Sequence, residues 1–284
     1  MRGVPGSDEY ERRRKHYEVE KRLARQILES SREERAQVAQ EAYAELFREI
    51  PWHPQLAAGA QAESEHVVHT LQRIGPWVPD AVELLEIGCG SGELLAAIAP
   101  RCERCVGIDM SLEALPELEM PANLELLEMD AMDLKFGDAS FDVALSIHVL
   151  EHLHPDDVDD HLREVHRVLR PGGAYLLETP NRLTGPHDIS RGFDRVATGF
   201  HLKEYTYGAL AAKLRENGFN RLECQILPGR VFRRNSRLFN LGRRAARWKY
   251  PLEAVCRFLP GADMRRRFGK MAYLDMVTIC AGKG

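Results

Sequence analysis

The segment Leu84-Leu85-Glu86-Ile87-Gly88-Cys89-Gly90-Ser91-Gly92 constrains this chain more than any other. An apolar run stops directly at three glycines set at alternate positions, and helix-forming residues resume at Glu93. Glycine lets a strand turn tightly and lets a ligand lie against bare backbone. Asp109 ends the next apolar run, 21 residues after Gly88, where a carboxylate can accept both hydroxyls of a ribose. The pattern predicts a nucleotide-binding turn at the switch point of a doubly wound sheet. The spacing is G-x-G-x-G rather than G-x-G-x-x-G, so the third glycine is misplaced for a nicotinamide-binding oxidoreductase.

The surroundings suit such a sheet. Short apolar runs at Val82–Ile87, Cys105–Ile108, Leu124–Met129, Phe141–Ile147 and Ala174–Thr179 alternate with helical stretches near Gly92–Ala99, Leu112–Leu118 and Pro155–Val168. Continuous apolar strands separated by helices predict a parallel sheet covered on both faces. A helix near Thr206–Glu216 stops at Asn217-Gly218, a strand follows at Arg221–Leu227, and a last run covers Leu274–Ala281. Upstream, two helices are expected between residues 8 and 49, the second opened by a capping box from Ser31 to Glu34. A third is expected at Glu63–Ile74. The expected organisation is a helical arm or cap at 1–62, a cofactor-binding core at 63–228, a basic lid or insert at 229–270, and a last core strand at 271–284. The arm reads as a cap or a dimerisation element, without chemistry of its own.

Glu86 stands two residues before the first glycine, where it can meet a cationic amino-acid end. Asp130 closes the third strand, placed to accept from an adenine amino group, and Leu169-Arg170-Pro171-Gly172-Gly173 turns into the fifth. In this order the set resembles the class I S-adenosylmethionine-dependent methyltransferases, in particular the methyltransferase type 11 and ubiquinone-pathway O-methyltransferase group. The resemblance spans about Val82–Leu227 and the final strand. It implies a Rossmann-like α/β sheet of seven strands, order 3-2-1-4-5-7-6, with the last strand antiparallel. It further implies that Gly88, Gly90 and Gly92 pass beneath the methionine and ribose, that Asp109 holds the ribose, Asp130 the adenine, and Glu86 the methionine amine. Cys89, Met110, Ala131 and Ser146 complete the implied cofactor lining. The implied cofactor is S-adenosyl-L-methionine and the implied product S-adenosyl-L-homocysteine.

His148, Glu151 and His152 follow the fourth strand, where the acceptor site should open. As H-x-x-E-H they match a zinc peptidase motif, but a strand end inside a cofactor fold is the wrong context. Two readings remain. In one, Glu151 and His152 support the loop, and His148 or His152 is the base. In the other, these residues bind a divalent metal. Small-RNA 3′-end 2′-O-methyltransferases are similar here, with a Glu-x-x-Glu-His run and a distant His around magnesium. This chain has His148 in place of the first Glu, and His201 stands where the distant His is expected. A site of Glu151, His152, His201 and His148 would suit zinc, manganese or iron better than magnesium. Arg182, His187, Asp188, Arg191 and Arg195, in the loop after the fifth strand, are candidate acceptor contacts. The run Asp156, Asp157, Asp159, Asp160 is expected to form a helix start and a solvated face.

Composition narrows the rest. Residues 227–271 hold 13 Lys and Arg against 2 Asp and Glu, so with a chain total of −4 the remainder carries −15. The insert interleaves these charges with Phe232, Phe239, Trp248, Tyr250 and Phe258, which suits an anionic lipid surface, a phosphate-bearing acceptor or RNA. Six cysteines make no disulfide framework, and Cys102-x-x-Cys105 lacks the second pair a zinc ribbon needs. No apolar stretch approaches the ~18 residues of a membrane span, so the expected location is cytoplasmic, with peripheral membrane contact through 229–270. The expected function is O-methylation of a small or lipid-linked metabolite such as a sugar, a quinone-like compound or a secondary metabolite. RNA 2′-O-methylation with a metal site is the alternative, a non-catalytic binding protein the alternative of another class, and a homo-oligomer is compatible with either.

Overall fold

The computed structural model describes residues 6–53, 60–112, 120–224, 249–272 and 274–284. The expected helix at Leu112–Leu118 and the insert between 229 and 248 lie outside the described residues.

Seven strands form one sheet of order β3-β2-β1-β4-β5-β7-β6. They are β1 Glu83–Ile87, β2 Arg104–Asp109, β3 Leu124–Glu128, β4 Phe141–Ile147, β5 Leu169–Pro180, β6 Phe219–Cys224 and β7 Met276–Lys283. β1 pairs in parallel with β2 and β4, while β7 runs antiparallel between β5 and β6. Side chains alternate across the strands and build two cores. Leu85, Ile87, Ala144, Tyr175 and Leu177 enter one core, together with Leu162 and Val165 of a helix at Val158–Val168 and Leu210 and Leu214 of another at Tyr207–Glu216. Leu84, Val143, Leu145 and Leu176 enter the other, with Ile74, which ends a helix at Ala60–Ile74, and Leu95 and Ile98 of a helix at Glu93–Ile98. Both faces are therefore covered, as the strand composition requires.

The helices are numbered α1 Asp8–Glu29, α2 Arg35–Glu49, α3 Ala60–Ile74, α4 Glu93–Ile98, α5 Val158–Val168, α6 Tyr207–Glu216, α7 Lys249–Phe258 and α8 Ala262–Met271. Three local expectations change. The Arg170–Gly173 turn lies inside β5 as a bulge: Phe141 pairs with Leu169, yet Val143 pairs with Ala174. Gly172 takes φ +81°, and a Cβ on Gly173 would stand 2.9 Å from the Asp142 carbonyl oxygen, so the pair of glycines is what lets the bulge close. The Ser31 capping box does not form. The Ser31 hydroxyl donates to the Glu34 carboxylate, and α2 starts at Arg35 without a side-chain cap. β6 begins at Phe219, two residues before the expected Arg221, and its expected end at Leu227 lies outside the described residues.

The arm is a helical hairpin, and its core is shared with the body. Leu23, Ala24 and Ile27 of α1 and Ala42 and Leu46 of α2 bury together with Phe200 from the loop between β5 and α6. Tyr17 stacks on Phe193 with ring centroids 4.4 Å apart, and Tyr17 and Lys21 both donate to Asp194. Arg35 pairs with Asp157 and Arg32 with Asp160, so the acidic run at the start of α5 docks the arm rather than facing solvent alone. In the described part of the insert, Glu253 of α7 is buried and accepts from Asn181 Nδ2 and from the Tyr207 and Gly208 N–H groups, which caps α6. Arg266 of α8 donates to the Thr184 and Gly185 carbonyls. These two helices thus lie against the loop that follows β5.

Candidate active site at the carboxyl ends of the strands

The glycine loop leaves β1 with Gly88 at φ +72°, Gly90 at φ +50° and Gly92 at φ +75°. The Gly88 and Cys89 N–H groups donate to the Ile108 carbonyl at 2.8 and 3.0 Å, which pins the loop over β2. A Cβ on Gly88 would stand 2.4 Å from Val149, whereas one on Gly90 would meet nothing within 4 Å. Gly90 therefore borders open space that a ligand can fill. Asp109 ends β2, and its Oδ2 accepts the Gly90 N–H at 2.8 Å.

Glu86 is 3% exposed and its Oε2 has no hydrogen-bond partner among the described residues. Burial, with Asp109 nearby, pushes its carboxyl up to about 8. A buried carboxyl without a partner is costly, and a cationic ligand group would relieve it. Asp130 accepts the Met132 N–H at 2.9 Å, Ala131 is buried beside it, and Met110 is exposed. These residues fit an adenosyl amino acid with a free amine. The Ser146 side chain is fully buried, and its hydroxyl is 2.6 Å from the Tyr175 hydroxyl, which is itself 3.0 Å from His161 Nε2. Its hydroxyl is thus part of a polar chain inside the core. Cys89 is buried, and burial raises its thiol pKa.

The Glu86 carboxyl supplies a pH test. It is mostly protonated at pH 7 in the free protein and must ionise to meet an ammonium. Binding then releases a proton, so affinity rises with pH towards 8. Calorimetric titration of S-adenosylhomocysteine is expected to give about tenfold tighter binding at pH 8 than at pH 6.5. Glu86→Gln should flatten the dependence, and a flat wild-type profile would refute the pairing.

The acceptor half is built from the ends of β4 and β5 and the loop before α6. His148 takes φ +58°, a left-handed conformation that non-glycine residues rarely hold outside constrained sites. Its N–H donates to the Glu178 carbonyl, and its Nδ1 lies 3.0 Å from Glu151 Oε1. Its side chain remains 38% exposed, so the ring reaches the cleft. Glu151 is fully buried, and its Oε2 accepts from Thr179 Oγ1 at 2.9 Å. Burial favours its neutral form, but the His148 hydrogen bond and the His152 and His201 rings outweigh that and lower its pKa. His152 places Nδ1 2.9 Å from the Phe200 carbonyl, which makes Nδ1 the protonated nitrogen; burial lowers its pKa. Tyr43 of α2 brings its hydroxyl within 3.3 Å of the same nitrogen. His201 sets Nδ1 3.0 Å from Glu204 Oε1, and despite burial the Glu204 and Glu151 carboxylates raise its pKa.

The structure thus brings Glu151, His152 and His201 together, with one ligand atom of each within 4.8 Å of the others. His148 is not in that group; it braces Glu151, and its Nε2 stands 4.0 Å from Glu178 Oε1. His187 and Asp188 are absorbed by their own loop: His187 Nε2 lies 3.0 Å from Thr184 Oγ1, and Asp188 accepts the Ser190 and Gly199 N–H groups. Arg182, Arg191 and Arg195 are exposed. Cys102 and Cys105 are free thiols whose pKa burial raises. Sequence reasoning missed Tyr43, Thr179, Glu204 and the buried Arg73–Glu178 pair. The signal for Glu178 and Thr179 was present, as two polar residues inside an apolar strand.

Residues 85–177 match the family model described as "Methyltransferase domain". A probable S-adenosylmethionine-dependent methyltransferase of Mycolicibacterium smegmatis is 33% identical over 138 residues, 48% of this chain and 51% of the relative. A ubiquinone biosynthesis O-methyltransferase of Pseudomonas syringae pv. tomato is 32% identical over 117 residues, 37% of this chain and 50% of the relative. The chain spans about half the length of these curated relatives. The crystal structure of a Burkholderia thailandensis 1,6-didemethyltoxoflavin-N1-methyltransferase with bound S-adenosylhomocysteine aligns over 89% of this chain and 91% of its own, with TM-score 0.53 and 18% identity, a likeness of fold. Residues 85–177 are thus similar to the S-adenosylmethionine-dependent methyltransferases, and the sheet that holds them has the class I fold.

Proposed function

We propose that this chain transfers a methyl group to an oxygen of a small or lipid-linked acceptor, assisted by a divalent metal ion held by Glu151, His152 and His201. The observation that carries the reading is that each of these side chains is aimed by an outer partner. Thr179 holds Glu151, the Phe200 carbonyl holds His152 and Glu204 holds His201. Metal-ligating histidines characteristically donate their other ring N–H to such a partner. Two imidazoles and one carboxylate favour zinc, manganese or iron over magnesium.

S-Adenosylmethionine, when bound, supplies a methyl on a sulfonium. Glu86 would hold its amine and Asp109 its ribose, against the Gly88–Gly92 loop. The chain contributes alignment first, worth about 7–11 kcal/mol when two reactants are held in line. A hydroxyl acceptor must also lose its proton. An ion at Glu151, His152 and His201 would acidify it, and the half-exposed His148, braced by Glu151, is placed to receive the proton. A neutral amine needs neither device, which supports an oxygen acceptor. Support for a lipid-linked acceptor comes from Phe258, 85% exposed at the end of α7 beside Arg257. No helix among the described residues is long and apolar enough to cross a membrane.

The test combines elemental analysis with turnover on a panel of vicinal-diol, phenolic and polyprenyl-linked acceptors. Chelation is expected to abolish turnover without preventing S-adenosylhomocysteine binding. Glu204→Gln should weaken metal affinity by about 10–100-fold. Turnover that survives chelation would leave His148 as a base without metal, and failure to bind S-adenosylhomocysteine would sink the whole reading.

A further inference from the structure

The N-terminal arm contains a second buried constellation, separate from the acceptor cleft. His16 and Glu20 lie one turn apart on α1, so their side chains share a face. His53 joins them from the segment after α2, where its N–H donates to the Ile50 carbonyl at 2.9 Å. Exposure is 6% for His16, 6% for Glu20 and 9% for His53, inside the shell made by Val19, Leu23 and Phe200.

We infer that His16, Glu20 and His53 form a second divalent-metal site, which takes a transition ion of the zinc class and fixes the arm to the acceptor loop. The three residues present one ligand atom each, all within 4.8 Å of one another. Glu20 Oε1 stands 2.6 Å from His16 Nε2 and 3.8 Å from His53 Nε2. Those separations bracket the about 3.3 Å expected between ligands around a tetrahedral ion at about 2.0 Å. The two rings meet edge to face with centroids 4.8 Å apart, and each presents its Nε2 to Glu20 Oε1.

The second oxygen of Glu20 is already oriented, because Oε2 accepts the Phe200 N–H at 3.1 Å. This is the outer support that a ligating carboxylate characteristically has. Burial opposes ionisation of Glu20, but the two histidines and the Phe200 N–H hold its pKa down at about 2, so the ligand is an anion at neutral pH. The same residue, Phe200, offers its carbonyl to His152 Nδ1. An ion in the arm would therefore anchor the backbone that aims His152 and precedes His201. The site is independent of the metal proposed for the acceptor cleft, since the two groups share no residue.

The test uses full-length protein carrying His201→Ala, which removes the cleft site and leaves the arm intact. After chelation and dialysis, zinc is titrated in competition with a chromophoric chelator. One zinc per chain is expected. Adding His53→Ala or Glu20→Gln should weaken that binding at least a hundredfold. Zinc should also raise the Tm of the His201→Ala protein by about 5 °C, as a ligand that binds only the folded state does. The Tm reading needs no change in the arm, so it decides the matter if the arm variants fail to fold. The inference is overturned if the His201→Ala protein binds no zinc, if zinc binding survives both arm substitutions, or if zinc leaves Tm unchanged. Wild-type protein that binds one zinc retained in His201→Ala would support the arm site and count against the cleft metal.

Discussion

Asp109→Ala is expected to weaken S-adenosylhomocysteine binding by about 100- to 1,000-fold, because hydrogen bonds to a charged acceptor contribute about 1.5–3 kcal/mol each. Asp109 does two things in the structure. It ends β2, in register with Glu128 on β3, at the mouth of the cleft. It also accepts the Gly90 N–H and so sets the glycine loop. On the proposed reading, alanine removes the acceptor for both ribose hydroxyls and frees the loop at the same stroke. The strand itself should persist, since Val106 and Ile108 bury the body of β2. Asp109→Asn separates the two effects. It keeps one acceptor oxygen for Gly90 but loses the charge, and should cost about tenfold. The measurement is calorimetric titration at a fixed pH, with thermal melts to confirm folding. Binding by the alanine variant within threefold of wild type would remove Asp109 from the cofactor site.

The sheet was legible because its central strands are buried on both faces and therefore read as apolar runs in a fixed order. Leu84, Leu85 and Ile87 supply both cores from a single strand, and no local alternative competes with that pattern. Boundaries were less legible where glycine chemistry has two outcomes. Gly172-Gly173 can make a turn or a bulge, and only pairing with β4 decides it. The glycine loop was readable for the converse reason, since its glycines and Asp109 fall within a short span of chain. The partners of Ser146 were not readable, because a hydroxyl near a strand end says nothing about which face it takes; here Tyr175 and His161 lie along one polar chain with it.

The arm was the least legible part. Its amphipathic helices predict a packing surface, and one exists, but nothing local shows that Tyr43 reaches His152 or that Glu20 reaches Phe200. These contacts join residues more than a hundred positions apart. A histidine and a glutamate at i and i+4 on α1 were a usable signal, one that the dense charge of that helix obscured. His201 was placed by resemblance, whereas Glu204, which orients it, lies three residues further on and was visible as a carboxylate within reach. Glu178 was passed over because an acidic residue inside an apolar strand invites no local partner; its partner lies on α3.

That partner carries the second large effect. Arg73→Met is expected to destabilise the protein by about 3 kcal/mol, because removing one member of a buried ion pair leaves the other charge uncompensated. Arg73 Nη2 donates to Glu178 Oε1 at 2.6 Å and Nε to Oε2 at 3.2 Å, a two-point contact. Glu178 is 1% exposed, while the Arg73 side chain keeps 30% of its exposure, which places the estimate at the low end of the usual 3–5 kcal/mol. Thr278 also donates to Glu178 and cannot replace the charge. If the loss comes from the stranded carboxylate, Arg73→Met combined with Glu178→Leu should recover most of it, since an apolar pair of similar volume is often neutral there. If the loss comes from packing of the arginine stem, the double variant should be worse than either single one. Urea unfolding followed by circular dichroism distinguishes the two. The outcome also bears on the cleft, because the Glu178 carbonyl accepts the His148 N–H and its carboxylate lies 4.0 Å from His148 Nε2. A double variant that regains stability but loses turnover would show that the Glu178 carboxylate serves the cleft beside His148, apart from its part in stability.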